Sequence, residues 1–408
     1  MKILLLNLYY PPDTSATAKM AETVARAISE RHEVTVLCGR PSYDPTTRRP
    51  WRVWQTERYG NVRVIRVGST DFPRFNMKKR LANYLSYAVL ALPATLAINC
   101  DAVLAMTDPP FQGIAGAFAA LLKGQPYVYN IRDMYPDMAV GGSIVRPGFL
   151  TRIWDRWHRW ALRRAAKVIV LGEDMRRRII SKGVDELRVE IVRDGAAISS
   201  ASSPGRDLDE DVIREIRGDF RFVLLHAGNL GFYGAWNTLL AAAELLGEDL
   251  ALVFVGDGAE RKRLESAAAK LRNVRFLPFF PADKIPSVLA AADAHIITVR
   301  EGLQGVVVPS KMYGILEAGK PILAVTPRDC EPVILGEVGG FARWANPDDA
   351  GSVARAMREL SNDGAGVARM SEAAKRAAAS YDRVNELQKF VQIISTLGVS
   401  EKRLKEVS

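Results

Sequence analysis

The sequence predicts an α/β protein made of two doubly wound, Rossmann-like domains that face each other across an interdomain cleft. Three observations support this fold class. Short apolar strands alternate with helical segments in both halves, the chain of 408 residues exceeds the usual size of one domain, and a Ser-, Pro- and Gly-rich segment at 201–205 interrupts the pattern. We expect a first domain at 1–204, a second at 205–380, and a C-terminal helix and polar tail at 381–408 that pack back towards the first.

The composition narrows the classes of partner. Lysines and arginines number 56 against 46 aspartates and glutamates, and the net charge of +10 favours anionic partners. No RNA-binding motif or basic-aromatic module accompanies the charge, so we expect no nucleic acid. The three cysteines are scattered and the four histidines lie far apart, which indicates a reducing compartment and no metal site. The first apolar run is short, so we expect a buried strand rather than a signal peptide.

The first half begins with a strand–helix–strand unit. An apolar strand at 2–8, a helix to about residue 31 and a strand at 33–38 are typical of a parallel sheet buried on both faces. The loop after the first strand lies where open α/β sheets bind ligands. Its candidate ligand-binding residues are Tyr10, Thr14, Ser15 and Thr17. The loop carries no Gly-x-Gly-x-x-Gly fingerprint, which argues against a nicotinamide dinucleotide.

A charged pair follows one of the next strands. These strands are predicted at 62–67, 102–105, 127–131, 167–171 and 189–192. The strand at 127–131 ends at Arg132-Asp133, and a charged pair at the carboxyl end of a strand is a suitable place for chemistry. From these residues alone, a salt-bridged loop is an equally good interpretation.

Two segments have the character of interfacial helices. The segment 72–98 begins with a basic run and continues as a mostly apolar helix that is broken by Pro93, so we interpret it as a membrane or lipid-substrate contact rather than a transmembrane span. The basic residues are Arg74, Lys78, Lys79 and Arg80. In the helix at 150–164, tryptophans lie opposite a row of arginines, and we favour packing of the tryptophan face into the protein with the arginine face solvated.

The second half repeats the strand-and-loop arrangement. Its strands are predicted at 222–226, 250–255, 274–277, 294–299 and 322–325. Gly228-Asn229 follow the first of these and Gly256-Asp257 the second, and glycine lets backbone N–H groups approach a ligand at a helix start. After the fourth strand a glycine loop leads to a helix that begins at Ser310-Lys311. A helix start with a lysine favours a phosphate, but an ordinary loop-to-helix junction fits these local features equally well.

Five segments match a known family in order and spacing. They are YYPPDTSATAKMAE at 9–22, RDMYPD at 132–137, HAGNLG at 226–231, VFVGDG at 253–258 and VVVPSKMYGILEAGKP at 306–321. Together they resemble the family 4 glycosyltransferases of the GT-B fold, in the WbuB-like subgroup of bacterial surface-polysaccharide assembly. The motifs span nearly the whole chain and are specific for the fold and superfamily, and much less specific for the sugars.

The resemblance implies retaining transfer from a nucleotide-diphosphate sugar, here a UDP-sugar, without a metal or other cofactor. The donor would lie mainly on the second domain, while Arg132 and Asp133 would face the reacting carbon and the 10–17 loop would close over the diphosphate and acceptor. The implied donor contacts are Gly228, Asn229, Gly256, Asp257, Phe279, Arg300, Ser310, Lys311 and Glu331.

The sequence departs from the family pattern at the donor site. Relatives commonly carry two glutamates eight positions apart, and this chain has Val306 and Gly314 there. Glu301 is the candidate replacement for the first of them. Phe232 and Tyr233 occupy the place where a lysine often follows the glycine loop. These changes affect the expected nucleotide geometry rather than the fold.

The expected function is hexosyl transfer to a membrane-borne acceptor carried on polyprenyl diphosphate, in glycan or polysaccharide assembly. The net charge and the basic 72–98 segment favour this acceptor, and with it a peripheral location at the inner face of the cytoplasmic membrane. Two alternatives stay open. One is a soluble transferase acting on a small molecule or protein, and the other is a sugar-nucleotide epimerase on the same architecture.

Overall fold

The computed structural model describes residues 1–42, 50–72, 77–197 and 208–406. Within these residues the strands form two sheets, one of eight strands and one of six, and each sheet is covered by helices. The predicted α/β class with two Rossmann-like units is therefore confirmed. The segment 201–205, proposed as the domain boundary, and Arg74 of the basic run lie outside the described residues.

The first sheet is parallel except at one edge. Its strands are β1 (Lys2–Leu6), β2 (Glu33–Cys38), β3 (Trp54–Tyr59), β4 (Val62–Val67), β5 (Ala102–Ala105), β6 (Tyr127–Asn130), β7 (Lys167–Val170) and β8 (Val189–Ile191). They lie in the order β3-β4-β2-β1-β5-β6-β7-β8, with β3 antiparallel to β4. Strand β3 escapes prediction from apolar runs because its residues alternate between exposed and half-buried positions.

The second sheet is fully parallel. Its strands are β9 (Phe222–Ala227), β10 (Leu250–Val255), β11 (Val274–Leu277), β12 (Ala294–Thr298), β13 (Ile322–Val325) and β14 (Ala342–Ala345), in the order β11-β10-β9-β12-β13-β14. The winding direction changes beside β1 in the first sheet and beside β9 in the second. Open sheets bind ligands at the carboxyl ends of strands at such switch points, which places the loops after β1 and β9 at the site.

The helices pack on both sheets. In the first half they are α1 (Ala16–Ser29), α2 (Met77–Ala97), α3 (Gln112–Lys123), α4 (Asp137–Gly141), α5 (Phe149–Arg164) and α6 (Glu173–Ser181). In the second they are α7 (Glu210–Arg217), α8 (Trp236–Glu244), α9 (Arg261–Ala267), α10 (Ile285–Ala290), α11 (Lys311–Glu317), α12 (Glu331–Gly339), α13 (Ala350–Asn362), α14 (Gly364–Ser380) and α15 (Arg383–Glu406).

The last helix, α15, returns to the first half of the chain. Its Phe390, Val391 and Ile394 are buried in the same apolar cluster as residues of β1 and β2. The hydroxyl of Ser395 also lies 2.9 Å from Nε2 of His32. Burial of this apolar face ties the chain's last segment to the first sheet.

A reciprocal pair of helix caps joins the two halves. The Glu331 carboxylate at the start of α12 accepts the N–H of Glu173 at 2.7 Å, and Asp174 at the start of α6 accepts the N–H of Glu331 at 3.1 Å. Glu331 also accepts Arg193 Nε at 2.8 Å and is fully buried. Its expected contact with the donor is therefore corrected, since the carboxylate already has partners on both oxygens and holds the halves together.

Replacing Glu331 with alanine is expected to destabilise the protein by about 3 kcal/mol, because it leaves the largely buried Arg193 unpaired and removes a helix cap. Urea unfolding followed by circular dichroism measures the change. Glu337→Ala is the matched control, because Glu337 lies on the same helix as Glu331 and forms an exposed ion pair with Arg328. Equal unfolding midpoints for the two variants would contradict the role of Glu331 in holding the two halves together.

Three neighbouring helices of the first half expose apolar side chains. Helix α2 packs on α3, and α3 packs on α5. Their large exposed apolar residues, which we call the apolar helix surface, are Leu81, Leu85, Val89, Leu96, Phe118, Leu121, Leu122, Phe149, Leu150, Ile153 and Trp157. Among the described residues, no helix is long and apolar enough to cross a membrane.

The expected packing of the α5 tryptophan face holds only in part. Trp154 stacks on Tyr135, with ring centroids 5.9 Å apart, and is thus packed into the protein. Leu150 is 77% exposed and Trp157 is half exposed. Ala161, near the end of the same face, is buried, so this face packs into the protein only at Trp154 and towards the end of the helix.

Candidate active site

A cleft of about 490 Å³ lies between the carboxyl ends of the two sheets. It brings together seven of the residues that the sequence predicts for the site: Thr17, Arg132, Asp133, Gly228, Asn229, Ser310 and Lys311. Four of its other lining residues, Asp194, Tyr233, Val307 and Thr298, were not among the predicted contacts. Both halves of the chain thus contribute polar groups to one cavity, as the predicted interdomain cleft requires.

On the first-domain wall, Arg132 is held by Asp194. Nη2 of Arg132 lies 2.7 Å from both carboxylate oxygens of Asp194, and both side chains are largely buried. The positive charge of Arg132 is therefore paired with a carboxylate of the same domain. Asp194 follows β8, and its place at the carboxyl end of a predicted strand is the signal that could have identified it.

Asp133 is positioned by the second half of the chain. Its backbone forms an antiparallel bridge with Val307, and the N–H of Met134 donates to the carbonyl of Val306 at 3.0 Å. Burial, together with the nearby Asp108 carboxylate, raises the pKa of Asp133 to about 6. The backbone carbonyl of Val306 thus helps to hold the loop that carries Asp133.

On the second-domain wall, Lys311 contacts an uncharged partner. Its Nζ lies 2.9 Å from Nε2 of His226, which is fully buried and in edge contact with Trp236 at 4.8 Å. Burial holds the pKa of His226 well below its ordinary value, so the imidazole is neutral. Burial also lowers the pKa of Lys311 to about 7. Within the part of the chain that the structure describes, the side chain of Lys311 pairs with this imidazole and with no carboxylate, which suits it to an anionic ligand.

The sequence alone does not identify His226 as a functional residue. It precedes the glycine loop within HAGNLG, at the end of a buried strand. Strand position alone predicts only a core side chain there, and the contact with Lys311 depends on how α11 packs beside β9. The contact between His226 and Lys311 can therefore be seen only in the tertiary structure.

The glycine loop is shaped for close approach. Gly228 has a φ of +137°, and a Cβ there would lie 3.4 Å from Lys311 Nζ. The Tyr233 hydroxyl donates to the Asn229 carbonyl at 2.6 Å, which fixes the loop from the position where relatives have a lysine. Ser310 stands at the start of α11 but makes no capping hydrogen bond, so its hydroxyl is not used by the helix.

Three predicted donor contacts lie beside the cleft and do not line it: Gly256, Asp257 and Phe279. A Cβ on Gly256 would come within 2.0 Å of the Gly228 carbonyl oxygen and 3.3 Å of the Phe279 ring. Phe279 is 57% exposed and Asp257 is also exposed. An exposed aromatic ring next to two glycine loops offers a stacking surface for a planar base.

The loop after β1 contributes less than the sequence predicts. Tyr10 is fully buried in edge contact with Tyr59, and its ring belongs to the core. Ser15 uses its hydroxyl to cap α1 by accepting the N–H of Ala18, and Thr14 points to solvent. These three expected contacts are corrected, since the β1–α1 turn directs only Thr17 of the four into the cleft.

Arg300 and Glu301 also lie away from the cleft. Arg300 lines a separate cavity of about 470 Å³ with Ser143 and Asn237, so the expected diphosphate contact is corrected. Glu301 is exposed and accepts from Gln304 at 3.3 Å. Neither residue is among those that line the cleft with Lys311.

The described residues contain no group of three histidine, cysteine, aspartate or glutamate side chains arranged to hold a metal ion. The charged groups of the cleft are instead the paired Arg132 and Asp194, the Asp133 carboxylate and Lys311, and hydroxyl and amide side chains and the loop N–H groups accompany them. This set can hold a diphosphate beside a carboxylate that faces it from the other domain.

Two facing Rossmann-like sheets with such a cleft define the GT-B class of glycosyltransferases. Comparison with known families agrees: a Glycosyl transferase 4-like domain matches residues 15–195, and the Glycosyl transferases group 1 family matches residues 221–363. The chain belongs to the family 4 glycosyltransferases.

Relatives with known descriptions support this assignment. The chain is 27% identical over 338 residues to the putative colanic acid biosynthesis glycosyl transferase WcaI of Escherichia coli, covering 78% of this chain and 82% of WcaI. It is 30% identical over 358 residues to the 2-deoxystreptamine glucosyltransferase of Streptomyces kanamyceticus, covering 79% and 89%. These enzymes work in different syntheses, so the likeness establishes glycosyl transfer rather than a particular acceptor.

Solved structures share the fold. HepE from Anabaena, in complex with UDP and glucose, is similar with a TM-score of 0.69 at 19% identity, covering 97% of this chain and all of HepE. WaaG, a glycosyltransferase involved in lipopolysaccharide biosynthesis, is similar with a TM-score of 0.63 at 18% identity, covering 97% and 99%. The GT-B fold predicted from the motifs is confirmed.

Proposed function

We propose that this glycosyltransferase moves a hexosyl group from a UDP-sugar, with retention of configuration and without a metal, to a membrane-borne acceptor on polyprenyl diphosphate. The observation that carries the proposal is the cleft, in which Asp133 lies opposite Gly228-Asn229 and the Lys311 ammonium. The related fold of HepE, whose structure holds UDP and glucose, supports the choice of donor.

Breaking the sugar–phosphate bond builds negative charge on the leaving diphosphate and positive charge on the sugar ring. Lys311 and the N–H groups around Gly228 stabilise the first charge, because fixed donors in a desolvated cleft need no reorganisation. The ionised Asp133 carboxylate stabilises the second or orients the acceptor hydroxyl. In a front-side retaining reaction the leaving phosphate takes the acceptor's proton, so Asp133 need not act as a base.

The acceptor is proposed to be membrane-borne because of the apolar helix surface. Leu85 and Val89 on α2 are 53% and 72% exposed, one turn apart. Exposed apolar side chains on neighbouring helices with basic residues nearby are typical of proteins that lie on anionic membranes. We place the enzyme at the inner face of the cytoplasmic membrane, where nucleotide sugars would reach the cleft from solution.

The test of the function is transfer by the purified chain from a panel of nucleotide sugars. We expect UDP-sugar consumption that requires a polyprenyl-diphosphate-linked sugar in vesicles, an unchanged anomeric configuration of the product by NMR, and full activity in EDTA. Full activity with water-soluble acceptors alone would favour the soluble transferase. Isomerised donor without any acceptor would favour the epimerase.

Leu85→Glu combined with Val89→Glu is expected to weaken binding to anionic vesicles at least about tenfold. Each substitution places a negative charge where the proposal puts an apolar side chain in the membrane. Vesicle flotation measures this. The matched control is Leu187→Glu with Val338→Glu, two exposed apolar residues on other surfaces. If the control lowers flotation equally, or if the α2 variant still floats like the wild type, the proposed membrane surface is wrong.

A further inference from the structure

A second cavity lies on the other side of α4 from the cleft. It has a volume of about 880 Å³, is open to solvent and is lined by residues of α4, α5 and α6, with Gly302 of the second half at its edge. Its basic lining residues are Arg152, Arg156, Arg159, Arg163, Arg178 and Lys182, against the two acidic residues Asp137 and Asp155. We call it the arginine cavity.

Both acidic residues of the arginine cavity are already paired. Lys182 Nζ lies 2.8 Å from Asp137 and 2.7 Å from Asp155, while Arg178 bonds to Asp137 and Arg159 to Asp155. Burial acts to raise the pKa of Asp137, but the hydrogen bonds from Lys182 and Arg178 outweigh it and hold that pKa below the ordinary value. Both carboxylates are therefore ionised and occupied by these three cations.

The remaining arginines form an unneutralised row. The row lies on one face of α5, because Arg156 follows Arg152 by four positions and Arg163 follows Arg156 by seven. All three side chains are exposed along the cavity. Among the described residues, none of these three guanidinium groups has an acidic partner within ion-pair distance. Guanidinium groups pair with phosphate oxygens through two parallel hydrogen bonds, so the row suits a ligand with several phosphate oxygens.

The cavity has an apolar edge and shares a wall with the active-site cleft. Phe149 lines its mouth, and the adjacent Leu150 is largely exposed. Met138 of α4 lines the cleft, whereas Asp137 and Val140 of the same short helix line the arginine cavity. A molecule with an anionic headgroup and a hydrocarbon chain matches this surface, and its headgroup would lie one helix away from Asp133.

We propose that the arginine cavity binds the diphosphate of the membrane-borne acceptor, with the hydrocarbon chain leaving past Phe149 and Leu150. The inference rests on the proposed function for the identity of the acceptor. It adds that recognition of the acceptor's diphosphate is separate from recognition of the donor's diphosphate, which occurs at Lys311 in the cleft.

The test is charge reversal of the row in the full-length chain, with Arg152→Glu and Arg156→Glu together. Binding of farnesyl diphosphate, measured by calorimetry with UDP saturating the cleft, is expected to weaken at least about tenfold. KM for a lipid-diphosphate-linked acceptor dispersed in detergent is expected to rise by a similar factor, with kcat and UDP affinity unchanged. Arg152→Lys with Arg156→Lys is expected to restore much of the binding.

The matched control is Arg214→Glu with Arg369→Glu, two exposed arginines on α7 and α14. The proposal is overturned if the wild type does not bind farnesyl diphosphate, or if both double variants bind it equally. It is also overturned if the α5 variant loses only binding to phosphatidylglycerol vesicles and keeps its KM, which would make the row a general contact with acidic lipid. Because farnesyl diphosphate binding is read without catalysis, a wild type that fails to use lipid-linked acceptors refutes the proposed function separately.

Discussion

Replacing Asp133 with asparagine is expected to lower kcat by about 100-fold or more while UDP-sugar affinity stays unchanged. The carboxylate lies on the first-domain wall of the cleft, opposite the groups that would hold the donor's diphosphate. Asparagine keeps the shape and the backbone bridge to Val307 but removes the negative charge that would face the developing oxocarbenium ion. Steady-state transfer rates and calorimetric titration with UDP-sugar measure the two quantities.

The pH profile gives a second test of Asp133. Its pKa is raised to about 6, so the protonated form dominates below that pH and the ionised form above it. If the ionised form is required, wild-type kcat/KM, which reports the unliganded enzyme, falls as the pH is lowered through about 6, and the asparagine variant lacks this decrease. Asp211→Asn, an exposed carboxylate on α7, is the control. Wild-type turnover in the Asp133 variant would reduce the residue to a structural role.

The sheets were predictable because their strands carry a strong local signal. Strand β10 is apolar throughout and β1 is apolar after its first residue, Lys2, since parallel strands are buried on both faces. Strand β3 lies at an edge, with one face towards solvent, and carries no such run. Local apolarity therefore identifies the interior of each sheet better than its edge.

The sequence predicts a site residue correctly when the position of its backbone places it in the cleft. It does not when the direction of the side chain determines whether the residue reaches the cleft. Gly228 and Lys311 reach the cleft because strand ends and helix starts meet there. Tyr10 and Arg300 also follow strands, yet one points into the core and the other into a separate cavity. A sequence gives the end of a strand but not the direction of each side chain beyond it.

Partners across the fold were the hardest part to predict. Asp194 pairs with Arg132 from 62 positions away, and His226 contacts Lys311 from 85 positions away. Neither pairing leaves a pattern in local sequence, because each arises from the packing of separate strands and helices. Arg132 and Lys311 both line the cleft, but only the structure shows that Arg132 is paired with Asp194 and that Lys311 has no carboxylate partner among the described residues.

Replacing Lys311 with methionine is expected to weaken UDP-sugar binding by about 10-fold to 100-fold, since the donor's diphosphate loses a charge-assisted hydrogen bond in a desolvated site. In the wild type, affinity is also expected to fall as the pH rises through about 7, where the ammonium loses its proton. A UDP-sugar is the correct ligand here, because its diphosphate does not titrate near this pH. Calorimetry across this range measures both effects, and the methionine variant lacks the pH dependence.

The same substitution is expected to act in the opposite direction on the stability of the unliganded protein. The pKa of Lys311 is lower in the folded chain, so the unfolded chain binds more protons above about pH 7, and the buried ammonium destabilises the fold most below that pH. Methionine removes this cost while filling a similar volume. Lys375→Met, at an exposed pair with Glu372, is the control that changes neither quantity. A variant that keeps its donor affinity would contradict the diphosphate role, whereas weaker donor binding in a chain at least as stable as the wild type at low pH would show that Lys311 is kept for the ligand rather than for the fold.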